Sequence, residues 1–501
     1  IRKQVHIRII GDYDVDGVTS SHLFLTALRR VGAKVDVVIP HRIQDGYGLS
    51  LHLLQQAKED GVDTILTCDN GIAAIDEIAW AKAQKMTVLV TDHHAVPFEE
   101  HEGRRTEKKS LADAVVNPHQ QDCGYPYKEL CGAGVAWNVI RVLYENYDMD
   151  KREAEDLLDF VAMATVCDVM SLTGENRILV KEGLKRIRHT KNIGLQALMQ
   201  ACNVQPENIS AYHFGYVLGP CVNATGRLDT ARHALRLFET GQETEAEEIA
   251  RDLVDLNQER KELTLQGVEM AKKLCEEGGY ENDPILVLFL PDVHESIAGL
   301  IAGRIREMYN RPVFVLTRGE EGVKGSGRST ENYSMYENMC GCAELFTKFG
   351  GHPMAAGLSL PEENVEKFRR KINENCPLTV EEVCPDIHID MAMPVGYAST
   401  ELVHQFALLE PFGKDNPSPL FADRNLSISR MWVIGKNRNV LRMSVLSEYG
   451  QPVPVIFFGD VETLFAYFTE KFGQEEVENA LHGRKNRILF SMVYTAKIDF
   501  Y

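Results

Sequence analysis

The sequence predicts an α/β protein whose first domain is built on a parallel β-sheet. Over residues 5–91, short β-branched runs alternate with amphipathic segments of helical length, a pattern typical of strand–helix–strand units. The runs are continuously apolar, as expected for strands that are covered on both faces. Acidic and histidine motifs directly follow three of these runs, at the end of the sheet where such folds bind ligands.

The elements of this first domain follow one another in order along the chain. The expected strands cover residues 5–10, 35–39, 63–67, 87–91 and 114–117. The helices that connect them are expected at about 17–31, 50–59 and 73–84. A further apolar helical run, from Leu157 to Val166, ends beside Asp168, and we expect it to lie over the same edge of the sheet.

The middle of the chain predicts a connecting segment and a second α/β unit. Residues 230–278 are rich in Glu and Lys and are expected to form one or two long helices that bridge two domains. The second α/β unit has expected strands at 285–290 and 312–317, helices near 296–308 and 361–375, and a Gly-rich run at 324–329.

A change of pattern after Pro377 predicts a small β-rich domain. Strand-like runs at 387–389, 426–434, 439–446 and 453–458 are separated by turn residues, which is typical of a compact β-barrel. We therefore expect domains at 1–200, 201–280, 281–380 and 381–501.

Size and composition limit the classes of function. A chain of 501 residues is long enough for about two to four domains, and no apolar run approaches the ~20 residues of a membrane helix. The net charge of −19 does not itself indicate nucleic-acid binding, which depends on local Lys and Arg density. The eleven cysteines are scattered, which favours free thiols in a reducing cytoplasm. Because the chain opens directly on a strand, we expect further sequence before it.

Three carboxylates precede the first predicted helix in an Asp-x-Asp-x-Asp-Gly motif. Asp12, Asp14 and Asp16 fall in a tight strand-to-helix turn, where their oxygens can converge on a hard cation such as Mg²⁺ or Mn²⁺. A calcium-binding EF-hand would require a Glu at the twelfth loop position, but that position is Leu23. The motif therefore favours a Mg²⁺ or Mn²⁺ site.

Two more motifs follow the third and fourth predicted strands. Asp69-Asn70-Gly71 alone would indicate only a turn. Asp92-His93-His94 is more informative, because adjacent histidines after a buried strand are costly without partners and neutral imidazole is a good metal ligand. Together with Asp168, these positions predict a two-metal centre for phosphoester hydrolysis.

These motifs resemble those of the DHH phosphoesterase superfamily and, within it, the RecJ family of single-strand-specific DNA exonucleases. The resemblance covers nearly the whole chain and implies a DHH domain, a long connecting helix, a DHHA1-type domain and an OB-like β-barrel. The motifs that carry it are GDYDVDG at 11–17, CDNG at 68–71, TDHH at 91–94, ATVCDVM at 164–170, NATGR at 223–227, GSGRS at 325–329, FGGHPMAAG at 349–357 and LEPFGKDNPSPLF at 409–421.

The resemblance implies a role for each residue of the metal centre. Asp14 and Asp69 would hold one Mn²⁺ or Mg²⁺ ion, and Asp16, Asp69, His93 and Asp168 the second. Asp69 would bridge the ions, Asp69 and Asp16 would be catalytic together with His94 on the scissile phosphate, and Asp12 and Asp92 would support the ligands. Many relatives carry a metal-binding His at the position of Ile10, so the first ion is expected to be held more weakly here.

The resemblance also implies a set of phosphate and DNA contacts. Arginine forks match phosphate oxygens, and glycines let backbone amides approach them. Other interpretations are a surface position for Arg42, a flexible loop for Gly325 to Ser329, and a simple turn around His352. The implied contacts are Arg42, Asn223, Arg227, Ser326, Arg328 and His352.

The leading functional prediction is a 5′→3′ exonuclease that digests single-stranded DNA to mononucleotides in DNA repair and recombination. One alternative is a small-substrate phosphodiesterase that acts on short oligonucleotides or cyclic dinucleotides. A second alternative is a non-catalytic replication scaffold, which the complete acidic set makes less favoured. Phe412, Phe421 and Trp432 are candidates for stacking on bases.

The implied setting is a cytoplasmic monomer without a membrane segment. Its expected partners are single-stranded DNA and, through the resemblance alone, a single-strand-binding protein or a helicase.

Overall fold

The computed structural model describes residues 1–42, 45, 48–101, 104–228, 230–280, 283–319, 322–378, 387–435 and 439–498. The chain forms two units, Ile1–Pro385 and Asp386–Tyr501, which are described separately below. Among the described helices, none combines the length and the apolar character that a membrane span requires.

The first unit begins with a five-stranded parallel sheet in the order β2-β1-β3-β4-β7. All five strands lie within about one residue of the predicted ones, because buried β-branched runs leave little choice of structure. A short antiparallel hairpin, β5–β6, is inserted before the last strand. The strands are β1 (His6–Ile10), β2 (Lys34–Val38), β3 (Thr64–Cys68), β4 (Thr87–Thr91), β5 (Phe98–His101), β6 (Arg104–Glu107) and β7 (Ala114–Val116).

Helices of the described chain accompany this sheet. The first begins after Asp14, whose side chain accepts a hydrogen bond from the Gly17 N–H at 3.0 Å, and it ends on Arg29 and Arg30, which suit the negative end of a helix dipole. The helices are α1 (Val15–Arg30), α2 (Leu51–Glu59), α3 (Ile75–Ala83), α4 (Gly132–Asn146), α5 (Lys151–Glu155), α6 (Leu158–Cys167), α7 (Gly174–Ile187) and α8 (Ile193–Ala201).

The predicted connecting segment is helical, and its long helix is confirmed. Residues 240–242 separate two helices of very different length, the second of which has 35 residues. A π-helical turn, Phe214–Leu218, precedes this region. The helices are α9 (Ala211–His213), α10 (Gly219–Leu228), α11 (Arg232–Glu239) and α12 (Glu243–Glu277).

A second sheet of the first unit has the order β11-β12-β10-β9-β8. The Gly-rich run at 324–329, for which a flexible loop was an open interpretation, is largely a strand. A Cβ at Gly325 would lie 2.4 Å from Leu316, so packing requires glycine there. The elements are β8 (Leu286–Phe289), α13 (Glu295–Tyr309), β9 (Val313–Gly319), β10 (Gly322–Arg328), α14 (Met335–Cys340), β11 (Lys348–Gly351), β12 (Ala355–Leu360) and α15 (Val365–Glu374).

The second unit is the predicted β-rich domain. Its sheet runs β13-β14-β15-β16, and β17 pairs with the first half of β14. The expected strand at 387–389 is wrong, because the first strand here is β13. The final two helices and the last strand were not predicted. The elements are β13 (Met391–Ala392), α16 (Thr400–Gln405), β14 (Phe421–Ile434), β15 (Val440–Leu446), β16 (Pro452–Phe458), α17 (Val461–Phe472), α18 (Gln474–Leu481) and β17 (Leu489–Tyr494).

Candidate metal centre and phosphate groove

Asp16 is fixed by the start of a helix that is distant in sequence. It lies in the first turn of α1 and is buried. Its carboxylate accepts hydrogen bonds from the N–H groups of Gly132 and Ala133 at 2.6 and 2.8 Å. N–H groups in the first turn of a helix such as α4 have no partner within that helix, and an anion satisfies them well. The helix start therefore holds Asp16 at the end of the sheet.

Asp69 adopts a backbone conformation that is uncommon for a residue with a side chain. It follows β3 with φ of +61°, in the left-handed region that mainly glycine occupies. Gly132 lies against it, and a Cβ at that glycine would be 2.7 Å from the Asp69 Cβ. Uncommon backbone geometry of this kind clusters at functional sites. The left-handed turn at Asp69 and the absence of a side chain at Gly132 together let Asp69 join the carboxylate cluster.

Asp92 organises the histidine motif. Its side chain accepts hydrogen bonds from the Ile72, His93 and His94 N–H groups at 2.9, 2.7 and 3.1 Å, and lies 2.8 Å from Nδ1 of His94. Burial opposes ionisation, but the contacts with His94 and these N–H groups hold the pKa of Asp92 below its usual value. Burial opposes the charged form of His94 as well, yet Asp92 raises the pKa of His94 to about 9.

His93 lies at the centre of the cluster. Its Nε2 atom is 3.1 Å from Asp69 Oδ1, 3.5 Å from Asp168 Oδ2 and 3.6 Å from Asp16 Oδ2. Burial lowers the pKa of His93. The ring is therefore favoured in the neutral form that binds metals.

The donor atoms fall into three groups, in each of which all atoms lie within 4.8 Å of one another. Burial and then mutual repulsion raise the pKa values of Asp12, Asp14 and Asp69. Divalent cations would relieve this repulsion, and oxygen ligands with one imidazole suit Mn²⁺ or Mg²⁺. The groups are Asp69 with His93 and His94, Asp16 with His93 and Asp168, and Asp12 with Asp14 and Asp69.

All five sequence-predicted ligands come together here. Asp168 caps the end of α6, as expected from its place after the apolar run. Asp12, expected only to support the ligands, lies among the possible ligands itself. Ile10 is fully buried in the hydrophobic core, so it contributes packing at the position where the resemblance implied a ligand.

A cavity of about 400 Å³ adjoins the centre. Tyr13, which stands between Asp12 and Asp14 in the chain, lines it, and the Arg42 guanidinium lies 4.8 Å from the centroid of the Tyr13 ring. Lys324, Ser326 and Lys348 also line this cavity. We call it the phosphate groove.

Three arginines concentrate positive charge beside the groove. Burial and then the charges of Arg42 and other arginines lower the pKa of Arg227 to about 10. Burial and then Arg42 also lower the pKa of Arg328. No ion pair joins Arg42, Arg227 or Arg328 to a carboxylate in the described ranges. Such a cluster of guanidinium groups is suited to an anion such as phosphate.

The remaining predicted contacts have distinct positions. Asn223 Oδ1 accepts a hydrogen bond from the Val15 N–H at 3.1 Å and so helps to fix the start of α1. Arg227 Nη1 donates to the Ser296 carbonyl at 2.6 Å, which ties α10 to α13. His352 is exposed in the turn between β11 and β12, and its role as a phosphate contact stays a prediction.

Several residues of the site were missed from the sequence. The N–H donors of Gly132 and Ala133 could have been suggested by the small-residue run Cys131 to Gly134 before an amphipathic helix. Lys348 adjoins the predicted motif at 349–357 but was not included in it, whereas Lys324 begins the predicted Gly-rich run at 324–329. Phe421, a proposed stacking residue, is buried against Phe406 and Tyr494 and is not available to bases in this structure.

Family comparisons cover most of the chain. The N-terminal domain of the DHH family matches residues 6–165, the DHHA1 domain matches residues 282–376, and the RecJ OB domain matches residues 389–501. These matches and the three larger sheets confirm the predicted fold class.

Two curated relatives are single-stranded-DNA-specific exonucleases named RecJ. The protein from Haemophilus influenzae is 35% identical over 467 residues, which cover 89% of this chain and 79% of that protein. The protein from Bacillus subtilis is 34% identical over 455 residues, which cover 90% of this chain. The chain spans 56% of the length of the Bacillus protein.

Solved structures that resemble this chain include RecJ exonucleases with bound metal ions. RecJ of Thermus thermophilus in complex with Mn²⁺ has a TM-score of 0.76 and 29% identity, over 92% of this chain and 64% of that one. An exonuclease RecJ bound to manganese has a TM-score of 0.63 and 32% identity, over 75% of this chain and 90% of that one. The T. thermophilus protein has also been solved with Mg²⁺.

Proposed function

The chain belongs to the RecJ family of single-stranded-DNA-specific exonucleases, and from this premise we propose that it digests single-stranded DNA from the 5′ end. The observation that carries the proposal is the stretch Asp12-Tyr13-Asp14. Asp12 and Asp14 belong to the carboxylate cluster, whereas Tyr13 lines the phosphate groove beneath Arg42. A 5′ phosphate held in the groove would thus lie close to the centre that hydrolyses the next bond, which suits release of mononucleotides.

The grouped donor atoms support the proposed metal ligands. Asp14 and Asp69 would hold one Mn²⁺ or Mg²⁺ ion, with Asp12 adjacent to them. Asp16, Asp69, His93 and Asp168 would hold the second, with Asp69 shared. Two bound divalent ions supply positive charge at the phosphate and make water a better nucleophile near neutral pH.

The protein's own groups then position the substrate. Asp92 fixes the ring of His94 through Nδ1, so that the ring is suited to contact the scissile phosphate. Arg42, Arg227 and Arg328 would neutralise the 5′ phosphate. Ser326 lines the groove and offers a hydroxyl to the same group.

The second unit is proposed to guide the strand. Trp432 is 36% exposed, and the guanidinium groups of Arg430 and Arg442 lie 5.7 and 5.8 Å from its ring centroid. An exposed aromatic ring flanked by cations suits base stacking and backbone contact together. We assign Phe412 no role, since it is only partly exposed.

The setting of the activity is also proposed. We infer a role in DNA repair and recombination, in the cytoplasm, as a monomer that acts with a single-strand-binding protein or a helicase. The boundaries at 200, 280 and 380 remain predictions, and the boundary at 380 lies outside the described residues.

The deciding experiment is a digest in Mn²⁺ of long single-stranded DNA labelled at either end. We expect mononucleotides to appear first from the 5′ end, while duplex DNA is spared. Short oligonucleotides and a cyclic dinucleotide serve as controls. Cleavage of these small substrates alone would contradict the proposal and favour a small-substrate phosphodiesterase, and no cleavage at all would favour a scaffold.

A further inference from the structure

Two cysteine side chains from different helices meet in the first unit. Cys202 directly follows α8, and Cys221 lies in the first turn of α10. Both are free thiols, and their Sγ atoms are 3.8 Å apart. Because an S–S bond is about 2.05 Å long, the sulfurs need to approach by less than about 2 Å to form one. The fold therefore brings together two thiols that looked unrelated among the scattered cysteines of the sequence.

The two thiols differ in exposure and in acidity. Cys202 is half-buried, whereas Cys221 is only 2% exposed. A hydrogen bond from Cys221 lowers the pKa of Cys202 against the effect of burial, and the charge of Lys261 acts in the same direction as that bond. The same hydrogen bond and then burial raise the pKa of Cys221. The thiolate is the reactive form of cysteine, so Cys202 is the group suited to attack and Cys221 is suited to resolve the product.

The sulfur of Cys221 is held in a defined position. It lies 3.2 Å from the Val217 carbonyl oxygen, which is a second acceptor for its proton, and it accepts a hydrogen bond from Asn257 Nδ2 at 3.4 Å. Asn257 is fixed in turn, because its Oδ1 accepts from Arg260 at 2.9 and 3.1 Å. A thiol held beside its partner reacts with it much faster than a thiol from solution does.

Helix α10 connects this pair of cysteines with the candidate site. Asn223, two residues after Cys221, accepts a hydrogen bond from the Val15 N–H at the start of α1. Arg227, which is one of the three arginines beside the phosphate groove, lies about 9 Å further along the helix at 1.5 Å per residue. Protein interiors are close-packed and transmit strain. A covalent bond at the start of α10 would therefore disturb the residues that this helix places at the site.

We propose that Cys202 and Cys221 are a site of reversible oxidation by peroxide, and that their disulfide slows the enzyme. The existence of this oxidation site is independent of the proposed function, and only its effect on digestion rests on that function. Disulfides in reducing compartments are usually transient and belong to redox sensing or catalysis.

The chemistry takes place in two steps. The Cys202 thiolate attacks one oxygen of hydrogen peroxide, so that an S–O bond forms, the O–O bond breaks, and a sulfenic acid and hydroxide result. The Cys221 sulfur then attacks the Cys202 sulfur. The S–S bond forms, the S–O bond breaks, and the hydroxyl leaves as water with the Cys221 proton. The hydroxide of the first step takes up the proton that Cys202 released, so two thiols are oxidised and one peroxide is reduced to two waters. A thiol reductant reverses the reaction by exchange.

The first test is mass spectrometry of the full chain after brief treatment with hydrogen peroxide. We expect a loss of about 2 Da and a cross-linked peptide pair that contains Cys202 and Cys221, both reversed by dithiothreitol. Cys202→Ser and Cys221→Ser should each lack the cross-link. Cys123→Ser is the matched control and should retain it, because Cys123 is also half-buried and its sulfur contacts no other cysteine among the described residues.

The second test follows the digestion of single-stranded DNA by the same samples. Oxidation should lower kcat/KM at least fivefold, and dithiothreitol should restore it. Cys202→Ser should match the reduced protein in activity and should keep that activity in peroxide. Melting curves identify folded variants, and Cys202→Ser suffices if Cys221→Ser does not fold.

Several outcomes would overturn the inference. One is conversion of Cys202 to the sulfinic acid without a cross-link, and another is a cross-link to a different cysteine. A disulfide that leaves kcat/KM unchanged would show that the pair does not slow the enzyme. Equal inactivation of Cys202→Ser by peroxide would assign the effect to another residue. A chain that forms the cross-link but cleaves DNA in neither state would support the oxidation site while the proposed function fails.

Discussion

Nε2 of His93 lies 3.1 Å from Oδ1 of Asp69. This contact joins the ends of β3 and β4, and Asp69 takes part in two of the three groups of possible ligands. The carboxylate of Asp69 is therefore the common element of the centre, and the other acidic residues are arranged around it.

Replacement of Asp69 should abolish cleavage and spare DNA binding. Asp69→Asn keeps the size of the side chain but removes the shared charge. We expect a loss of rate greater than the about 10–100-fold that follows loss of a residue supporting a metal ligand. Single-turnover digestion and fluorescence anisotropy measure the two effects.

The matched control for this variant is Asp148→Asn. Asp148 also has a left-handed backbone, with φ of +53°, and is exposed. If both variants lose activity equally, the effect comes from the turn and not from the metal centre.

Asp92→Asn should raise the Mn²⁺ concentration that is needed for half-maximal rate. Asp92 holds His94 and three backbone N–H groups, and loss of such support typically costs about 10–100-fold in metal affinity or activity. The measurement is the Mn²⁺ concentration for half-maximal rate. Asp113→Asn is the control, because Asp113 similarly accepts from the Val88 N–H on the same sheet. An unchanged Mn²⁺ dependence in Asp92→Asn would contradict the assigned role.

Gly132→Ala should weaken metal binding although alanine favours helices. A Cβ at Gly132 would lie 2.7 Å from the Asp69 Cβ and 3.0 Å from Asp16 Oδ2. We expect at least a tenfold loss of Mn²⁺ affinity in calorimetry. Gly134→Ala, two residues along α4, should have little effect, since its Cβ would meet only the Leu130 side chain at 3.3 Å. Equal losses of Mn²⁺ affinity in the two variants would show that the effect comes from the packing of α4 and not from contact with the carboxylates.

Arg328→Ala should reduce the preference for a 5′ phosphate. A hydrogen bond to a charged group is worth about 1.5–3 kcal/mol, which corresponds to about 10–150-fold in kcat/KM. The ratio of kcat/KM for 5′-phosphorylated and 5′-hydroxyl oligonucleotides measures it. Arg318→Ala is the control, because Arg318 is exposed and paired with Glu362. Equal losses of kcat/KM on both substrates would show that Arg328 does not contact the 5′ phosphate.

Stability should fall in mild acid because of His22. Burial, and then the charge of Arg29, lower the pKa of His22 from 6.5 to about 4. The folded state therefore favours the neutral ring. The contribution of His22 to stability is complete above the pKa of the unfolded state and is lost as the pH falls towards the pKa of the folded state. Between pH 8 and pH 5 the free energy of unfolding should decrease by about 2 kcal/mol from this group.

Denaturant titrations at the two pH values test this prediction. In His22→Phe the difference between pH 8 and pH 5 should shrink by about 2 kcal/mol. An unchanged difference would mean that the ring already carries a proton in the folded protein at pH 5.

The sequence reveals the carboxylate cluster because parallel strands end at one edge. Asp12, Asp69 and Asp92 each follow a buried strand, so their convergence needs only the sheet. The support of Asp16 by Gly132 spans 116 residues and depends on how α4 packs, which no local pattern encodes.

Glycine and aromatic residues show a related effect of packing. Gly325 and Gly327 suggest a loop, yet they lie in β10 because Leu316 and Phe314 occupy the space where their side chains would be. Phe421 suggests a stacking surface but is buried. Tertiary packing decides both cases, and it is not visible in local propensity.

The stretch Asp12-Tyr13-Asp14 has a consequence for product length. Consecutive Cα atoms are separated by a fixed distance of about 3.8 Å, so the interval between the Tyr13 wall of the groove and the flanking carboxylates is set by covalent geometry. A shift of β10, which carries Ser326 and Arg328, would alter how tightly the strand end is gripped. Such a shift would not change which phosphodiester bond reaches the metal centre. A variant that holds the strand end more loosely should therefore cleave more slowly but still release mononucleotides.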